Sequence, residues 1–389
     1  MLDDTVIMWE EMSLKKKILV VGELHRDIFY KTDALTNIVQ QISRQLFLKK
    51  SSMQGSESEI ENIVSNALHR TTKKFSCDSK IVRGGNGNNS ATILANLGIP
   101  TGLLTVIGED SLWMIPELEK LGIDITTVFV KKVLTPTSAI VEDANYTKIF
   151  TSKNLKDEMN FEGIEFPIDL FDDSMIVFIT PMDLKYKHIL EVAVNAEKLV
   201  AVTIELQKFI QFSEVETLLS AKPEILFCNL NDAYEICKKD FETPFPTFEE
   251  FKKTLDEEKT KNAEYEYQLK KLINVDLFFG KLANVRIYTS GNMGSWVRFG
   301  PLKLIYREPF AVDIKTRVGA GDTFAAGFLS KLNEKISSPL EYLGQTKEEN
   351  EWLFKVCLLY ATGASGVRIS SGKFPDNDEI REFLKEKME

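Results

Sequence analysis

The stretch TRVGAGDTFAAGFLSKL, residues 316–332, places two glycines and an alanine directly before an aspartate and an apolar helical pattern. Glycine has no β-carbon, so a ligand can approach the backbone amides of Gly319 and Gly321 closely. At the first turn of a helix such N–H groups point outward, and the helix dipole adds positive charge at the same end. We therefore predict a phosphate-binding hole made by Gly319, Ala320 and Gly321.

Asp322 follows this hole directly, and its predicted role is different. A carboxylate repels a phosphate, so it does not suit a phosphate ligand. It suits a general base that takes a proton from a hydroxyl group while the amides hold the phosphoryl group being transferred. The same pattern would arise if Asp322 only stabilised the helix N-terminus electrostatically, and the stretch alone leaves both explanations open.

A second glycine-rich helix start, RGGNGNNSATILANLG, lies at residues 83–98. Gly84 and Gly85 allow close approach of a ligand, and the asparagines behind them, Asn89 among them, carry amides that can bind sugar hydroxyl groups. An asparagine-rich turn that only caps the helix would have the same composition. The spacing lacks the G-x-G-x-x-G of dinucleotide folds, and the chain has no G-x-x-x-x-G-K-[ST] phosphate loop.

Composition limits the class of function. The 389 residues are 43% hydrophobic and 27% charged, which is typical of a globular protein. The net charge of −10 argues against binding to nucleic acid or to an anionic membrane surface. The four cysteines and three histidines are scattered, so no metal site of nitrogen and sulfur ligands is expected. No stretch is typical of a signal peptide or a membrane span, and we expect a cytoplasmic protein.

The order of apolar segments predicts the fold class. A first buried strand is expected at Ile18–Val21, and from residue 84 onward strand-like and helix-like segments alternate. This alternation predicts helices on both faces of a mostly parallel sheet. Residues 1–16 form an N-terminal extension, and apolar residues at helical spacing within 35–72 predict a two-helix insertion.

In their order and separation, the two glycine-rich motifs resemble the two signatures of the ribokinase-type (PfkB) carbohydrate kinase family. The residues that match the family's G-G-x-x-x-N-x-A are Gly84, Gly85, Asn89 and Ala91. The residues that match D-T-x-G-A-G-D-x-F are Gly319, Ala320, Gly321, Asp322 and Phe324.

Further segments resemble the same family in sequence order. VVGELHRD contains Asp27, which matches the family's sugar-binding aspartate, and NLNDA resembles N-x-x-E-A, a pair linked to magnesium and phosphate that corresponds here to Asn229 and Asp232. TSGNMG resembles the T-x-G-x-x-G that lies under the nucleotide, and ATGASGVRISSGKFP resembles the segment that lines the adenine pocket. The nucleotide-binding residues that the resemblance implies are Asn229, Thr289, Gly291, Gly294, Gly363, Ala364 and Gly372.

The resemblance implies a ribokinase-like three-layer α/β/α sandwich with a small β-sheet lid. The kinase domain would span 17–389, with lid strands within 27–34, 76–83 and 126–152. The implied activity is phosphorylation of a hydroxymethyl group of a sugar by ATP and Mg²⁺, with Asp322 as general base. The implied sugar-binding residues are Asp27, Gly84, Gly85 and Asn89. By analogy, two lids pair in a homodimer.

The chain departs from the family just before the second motif, where the family's D-T aligns with Thr316 and Arg317. That aspartate and threonine often help to bind a monovalent cation, so a potassium requirement stays open. Asp313 lies three positions too early to replace the aspartate.

The acceptor also stays open. A nucleoside kinase of the same family is the main alternative, and the lid offers both aromatic residues, Phe29 and Tyr30, and polar ones, Thr137 and Asn145. A phosphorylated sugar would need a cation at the lid, for which the candidates are Arg26, Arg83 and Lys148. A catalytically silent regulatory protein on this fold is disfavoured, because Asp322 and the glycine-rich hole are intact.

Overall fold

The computed structural model describes residues 15–32, 36–40, 77–142, 147–167, 169–206, 209, 211–241, 245–254, 262–300, 304–339 and 346–388. Of the predicted insertion at 35–72, only the helical residues 36–40 are described, and nearly all of the extension 1–16 lies outside the described residues.

The first strand explains why the protein has two hydrophobic cores. Strand β1, Lys17–Gly22, carries an uninterrupted apolar run. Because successive side chains of a strand point to opposite faces, Ile18 and Val20 join one core, and Leu19 and Val21 join the other. Strands that are apolar on both faces are typical of parallel sheets covered by helices on each side.

The other strands of the large sheet continue this pattern. Their bounds are β4 Thr101–Gly108, β5 Val128–Lys131, β8 Ser174–Thr180, β9 Leu199–Ile204, β10 Ile225–Asn229, β11 Val285–Thr289, β12 Ser295–Phe299 and β13 Leu304–Arg307. The spatial order is β13-β12-β11-β10-β9-β8-β1-β4-β5. The strands from β11 to β5 are parallel, while β12 and β13 add an antiparallel edge.

Helices cover both faces of this sheet. Their bounds are α1 Asn86–Asn96, α2 Met114–Lys120, α3 Lys153–Glu158, α4 Lys187–Asn195, α5 Phe212–Leu218, α6 Leu230–Cys237, α7 Phe248–Lys252, α8 Ala263–Phe279, α9 Ala320–Lys335, α10 Lys347–Ser371 and α11 Asn377–Met388. Helices α1, α9 and α10 contribute to one core, and α4, α5, α6 and α8 contribute to the other. The predicted three-layer α/β/α arrangement with a mostly parallel sheet is confirmed. No helix in the described part of the chain is both long and apolar enough to cross a membrane.

A four-stranded second sheet lies beside the large one. Its strands are β2 His25–Lys31, β3 Asp78–Gly84, β6 Thr137–Glu142 and β7 Thr147–Thr151, in the order β3-β2-β6-β7. Within the stretch 126–152, where lid strands are expected, β6 and β7 belong to the small sheet, whereas β5 pairs in parallel with β4 of the large sheet. Only Glu23 and Leu24 separate β1 from β2, so the small sheet begins at the carboxyl edge of the large one.

A buried ion cluster ties α8 to the antiparallel edge. The carboxylate of Asp276 accepts two hydrogen bonds from Arg286, at 2.9 and 3.0 Å, and one from the Tyr288 hydroxyl at 2.9 Å. The Arg298 Nε lies 2.8 Å from the same carboxylate. Because Asp276 and Arg286 are both buried, each compensates the charge of the other.

Candidate active site

The two glycine-rich motifs form two helix starts that meet. Gly85 precedes α1 with a φ of 89°, and Gly319 precedes α9 with a φ of 75°, values that glycine adopts without strain. The Nδ2 of Asn89, on α1, donates a hydrogen bond of 2.9 Å to Oδ2 of Asp322, on α9. Residues 233 positions apart in the sequence therefore belong to one site.

The surroundings of Asp322 set its acidity. Burial raises the pKa of Asp322 to about 7, and the nearby charge of Glu205 contributes to the rise. Hydrogen bonds from Asn89 and Asn86 and the positive charge of Arg368 oppose it. A carboxyl group that titrates near neutral pH and still reaches the surface is suited to accept a proton from a bound hydroxyl group.

The predicted anion hole lies at the first turn of α9. Here the Thr323 hydroxyl donates a hydrogen bond of 2.7 Å to the Gly319 carbonyl and fixes the turn. Apart from the adjoining residues and the backbone of its own helix, no described residue has an atom within 4 Å of the position that a β-carbon of Gly321 would take, so this side of the turn is open to a ligand. The Ala320 N–H donates a long bond of 3.3 Å to the Arg317 carbonyl. The positive end of a helix of 16 residues adds to the attraction for an anion.

Asp27 lies on β2 and is only 7% exposed. A β-carbon on Gly84 would stand 1.8 Å from its Oδ2, so the close packing of this carboxylate requires glycine at position 84. Burial raises the pKa of Asp27 to about 6, against the opposing effects of the Ser138 hydroxyl and the Lys156 charge. The other oxygen, Oδ1, is buried and accepts no hydrogen bond from the described residues. A buried carboxylate oxygen of this kind is suited to a hydroxyl donor from a ligand.

A buried ionic cluster supports the junction between β1 and β2. The Glu23 carboxylate lies 3.0 Å from Lys156 Nζ, 3.2 Å from Lys185 Nζ and 3.1 Å from His25 Nε2. Burial by itself would raise the pKa of Glu23, but its contact with His25 and the two lysine charges hold it well below its usual range. Burial lowers the pKa of His25, against the opposing effects of the hydrogen bond and the charge of Glu23. The cluster joins the start of the small sheet to α3 and to the turn before α4.

Where the sequence predicts nucleotide binding, neighbouring parallel strands end together. Asn229 and Thr289 are register partners at the ends of β10 and β11, and Glu205 directly follows β9. The Asn229 side chain caps α6 by accepting from the Asn231 N–H at 2.9 Å. Burial raises the pKa of Asp232, whose Oδ2 accepts from the Leu206 N–H at 3.4 Å. Ligands of open parallel sheets bind at this carboxyl edge.

The hairpin between β11 and β12 holds two more predicted residues. Gly291 has a φ of 51° and Gly294 a φ of 87°. A β-carbon on Gly294 would stand 2.3 Å from the Arg307 carbonyl oxygen, and the Ser290 N–H donates to the Gly294 carbonyl at 2.9 Å. The glycines therefore close a tight turn at the end of β11, next to Thr289.

Two predicted nucleotide-binding residues face neighbouring helices in the structure. Gly363 and Ala364 are buried inside α10. The space beside Gly363 is filled by Leu384 of α11, and Ala364 packs against Gly327 of α9. Their small size serves close packing of helices. Gly372 lies elsewhere: it caps α10 with a φ of 75°, and its carbonyl accepts from Arg368.

The two arginines of the small sheet that were candidates for binding a substrate phosphate have partners within the protein. Arg26 contacts Asp110 at 2.9 Å and donates to the Thr137 hydroxyl, while Arg83 contacts Glu117 at 2.9 Å. Lys148 is exposed on β7, and Asn145 lies outside the described residues.

Sequence reasoning missed Glu205 and Arg368. The Asn86 Nδ2 donates to Glu205 Oε1 at 2.7 Å, so this carboxylate faces the start of α1. A polar residue directly after an apolar strand, as in VTIEL, is the signal that would have found Glu205. Arg368 lies near the end of α10, and no local pattern distinguishes it from a surface arginine.

The comparisons with known proteins agree with this geometry. A model of the pfkB family carbohydrate kinases matches residues 76–346. No curated protein has a significant sequence match to the chain.

Several solved structures share the fold. Ribokinase from Giardia lamblia has a TM-score of 0.64 and 16% identity, and ribokinase from Arabidopsis thaliana, solved with ribose and ATP, has a TM-score of 0.61 and 18% identity. A nucleoside kinase from Methanocaldococcus jannaschii has a TM-score of 0.57 and 17% identity. Each match covers 96% of this chain and 99% of the other.

Proposed function

Since the chain belongs to the pfkB family of carbohydrate kinases, we propose that it transfers the γ-phosphoryl group of ATP to a hydroxymethyl group of a sugar. The observation that carries the proposal is the contact between Asn89 and Asp322. It joins a candidate sugar-binding motif to a candidate base at the open end of α9. The pKa of Asp322, raised to about 7, suits the proposed proton transfer.

In the proposed reaction the acceptor lies between Asp27 and Asp322. A sugar hydroxyl donates to the buried Oδ1 of Asp27 and so fixes the orientation of the ring. As the hydroxymethyl oxygen attacks the γ-phosphorus, its proton passes to the Asp322 carboxylate and the bond to ADP breaks. Amides at the first turn of α9, around Gly321, then stabilise negative charge on the phosphoryl oxygens. The small sheet covers the acceptor and excludes water, which would otherwise accept the phosphoryl group.

Magnesium fits the residues on the nucleotide side. The described residues contain no group of three or more acidic, histidine or cysteine side chains that would enclose an ion. The carboxylates of Asp232 and Glu205, with the Asn229 amide, suit an ion that keeps waters and binds mainly to ATP phosphates. When bound, Mg²⁺ neutralises phosphate charge.

A nucleoside is the second candidate acceptor. Phe29 and Ile140 are register partners on the small sheet, and they lie two residues along the strands from Asp27 and Ser138, which are also partners. Residues paired in this way share a face of the sheet, so an aromatic and an aliphatic side chain accompany the candidate sugar-binding aspartate. This apolar wall suits a base ring.

We also propose a cytoplasmic location and a lid-paired dimer. All four cysteines are free thiols, which suits a reducing compartment. The small sheet exposes Ile81 and Phe150 to 60% and 64%, and both lie on the face opposite to Asp27, which suits burial against a second copy. Light scattering of the purified chain tests the dimer, and a Phe150→Lys variant that stays dimeric counts against this contact.

The test of function is a coupled assay of ADP release with ATP and Mg²⁺. The acceptors are pentoses, hexoses, sugar phosphates and nucleosides, each supplied separately. Turnover on a free sugar supports the leading proposal, and turnover on nucleosides alone supports the second. If ADP binds but no acceptor is phosphorylated, the proposal fails and a regulatory protein on the kinase fold becomes the better account.

A further inference from the structure

Arg368 joins the two chain segments that surround the start of α9. Its Nε donates a hydrogen bond of 2.9 Å to the Val318 carbonyl, in the loop before the helix. Its Nη1 donates one of 2.6 Å to the Gly372 carbonyl, at the end of α10. The guanidinium carbon also lies 4.3 Å from the ring centre of Phe374. One half-buried side chain therefore holds the glycine-rich loop against the C-terminal segment.

This bridge acts on the residues that the proposed reaction uses. Val318 directly precedes Gly319, whose positive φ opens α9, and a β-carbon on Gly319 would stand 3.5 Å from Arg368 Nε. The charge of Arg368 also reaches Asp322, where it favours the ionised carboxylate. A planar guanidinium with several fixed N–H donors is suited to hold two carbonyl oxygens at once.

A monovalent cation at this place would need the same kind of ligand. Backbone carbonyls flanking the anion hole are typical ligands of such ions, but here Arg368 already donates to those of Val318 and Gly372. The Thr316 hydroxyl is engaged as well, since it donates to Glu142 at 3.1 Å and accepts from the Val318 N–H at 3.2 Å. Asp313 is exposed. The residues present therefore do not fit a monovalent cation.

We propose that Arg368 is a positioning residue that supplies a built-in positive charge beside the anion hole, so that turnover needs no potassium. This inference rests on the proposed kinase function. It assigns Arg368 two effects. The side chain fixes the geometry of the amides at the first turn of α9, and its charge adds to the electrostatic attraction for the nucleotide phosphates.

The test compares the wild-type chain with Arg368→Ala, Arg368→Lys and the control Arg381→Ala. Arg381 is an exposed arginine on α11 whose guanidinium lies 3.7 Å from Asp378. Affinity for ADP is measured by calorimetry, thermal unfolding is followed at equal ionic strength in potassium or choline chloride, and kinase activity is measured in both salts. The first two readouts do not depend on turnover.

The wild-type chain should show the same activity and the same unfolding temperature in both salts, because an ion that does not bind the native state does not stabilise it. Arg368→Ala should lose about 10- to 100-fold in ADP affinity, because the charge-assisted hydrogen bonds that hold the loop before α9 and the positive charge near the phosphates are both lost. Arg368→Lys keeps the charge but cannot bridge both carbonyls in the same way, so its ADP affinity should lie between those of the wild type and Arg368→Ala. Arg381→Ala should match the wild type in ADP affinity, unfolding temperature and activity.

Two results would overturn the inference. One is a wild-type chain whose unfolding temperature or activity rises clearly in potassium. The other is a folded Arg368→Ala or Arg368→Lys variant with unchanged ADP affinity. If no acceptor is phosphorylated, the proposed function fails by itself, and the ADP and unfolding data still decide the role of Arg368.

Discussion

Activity should follow the ionisation of Asp322. With a pKa of about 7, this carboxyl is ionised in about 9% of molecules at pH 6 and about 91% at pH 8. A general base works only in its ionised form, so kcat/KM should rise about tenfold over this interval. The measurement is kcat/KM for MgATP at saturating acceptor, in buffers of constant ionic strength. This parameter reports the ionisation of Asp322 in the enzyme before the nucleotide binds.

A change at Asn89 should move this profile in a defined direction. Asn89→Leu removes the 2.9 Å hydrogen bond that favours the ionised Asp322. A hydrogen bond to a charged group stabilises it by about 1.5–3 kcal/mol, so the pKa should rise by up to about one to two units. The profile then shifts toward higher pH. Asn274→Leu, on the distant helix α8, is the control and should leave the pH profile unchanged. A flat wild-type profile, or a shift toward lower pH in Asn89→Leu, would refute the assignment of Asp322 as base.

The same pKa has a consequence for stability. Asp322 binds its proton more strongly in the folded state than an ordinary aspartate with a pKa of 3.8, so its contribution to stability falls as the pH rises from about 4 to about 7. Asp322→Asn removes this dependence. The variant should therefore unfold at a higher denaturant concentration than the wild type at pH 8, and the difference should diminish at pH 4.

Further substitutions at Asp27, Gly319 and Asp276, with Gly163 as a control, separate the roles of individual residues. Asp27→Asn should raise the acceptor KM about 10- to 100-fold in steady-state assays, because a buried charged acceptor is lost, and an unchanged KM would exclude a contact with substrate. Gly319→Ala and Gly163→Ala both place a side chain at a positive φ, of 75° and 74°, and should each lower the free energy of unfolding by about 1–2 kcal/mol in urea titrations. Of these two variants, only Gly319→Ala should also weaken ADP binding. Asp276→Ala leaves the buried Arg286 charge unmatched and should lower the free energy of unfolding by about 3–5 kcal/mol without changing either KM.

The sequence predicts the fold well where one physical signal dominates. The apolar run of β1 predicts a strand buried on both faces, and the glycines before α1 and α9 predict helix starts, where the structure has a positive φ. Val128–Lys131 is different, because an alternating pattern is equally compatible with the edge of either sheet. Its place beside β4 depends on tertiary pairing that no local pattern contains.

The site is less predictable than the fold. The resemblance placed Gly363 and Ala364 at the nucleotide, but small residues in a helix interior also arise where two helices pack closely, and this is their role here. Arg368 was missed for the opposite reason: its importance comes from the Val318 carbonyl, 50 positions away in the sequence. Thus glycine-rich turns are visible in the sequence, while charges that act across the fold are not.

The most direct test of the account is phosphorylation of the best acceptor by Asp322→Asn, with Asp378→Asn as the matched control. Asp378 is an exposed carboxylate on α11, so its amide variant should keep wild-type turnover. Asp322→Asn should fold and bind ADP normally but lose about 10²- to 10⁴-fold in kcat, the usual effect of a positioned general base. Near wild-type turnover in this variant would contradict the account.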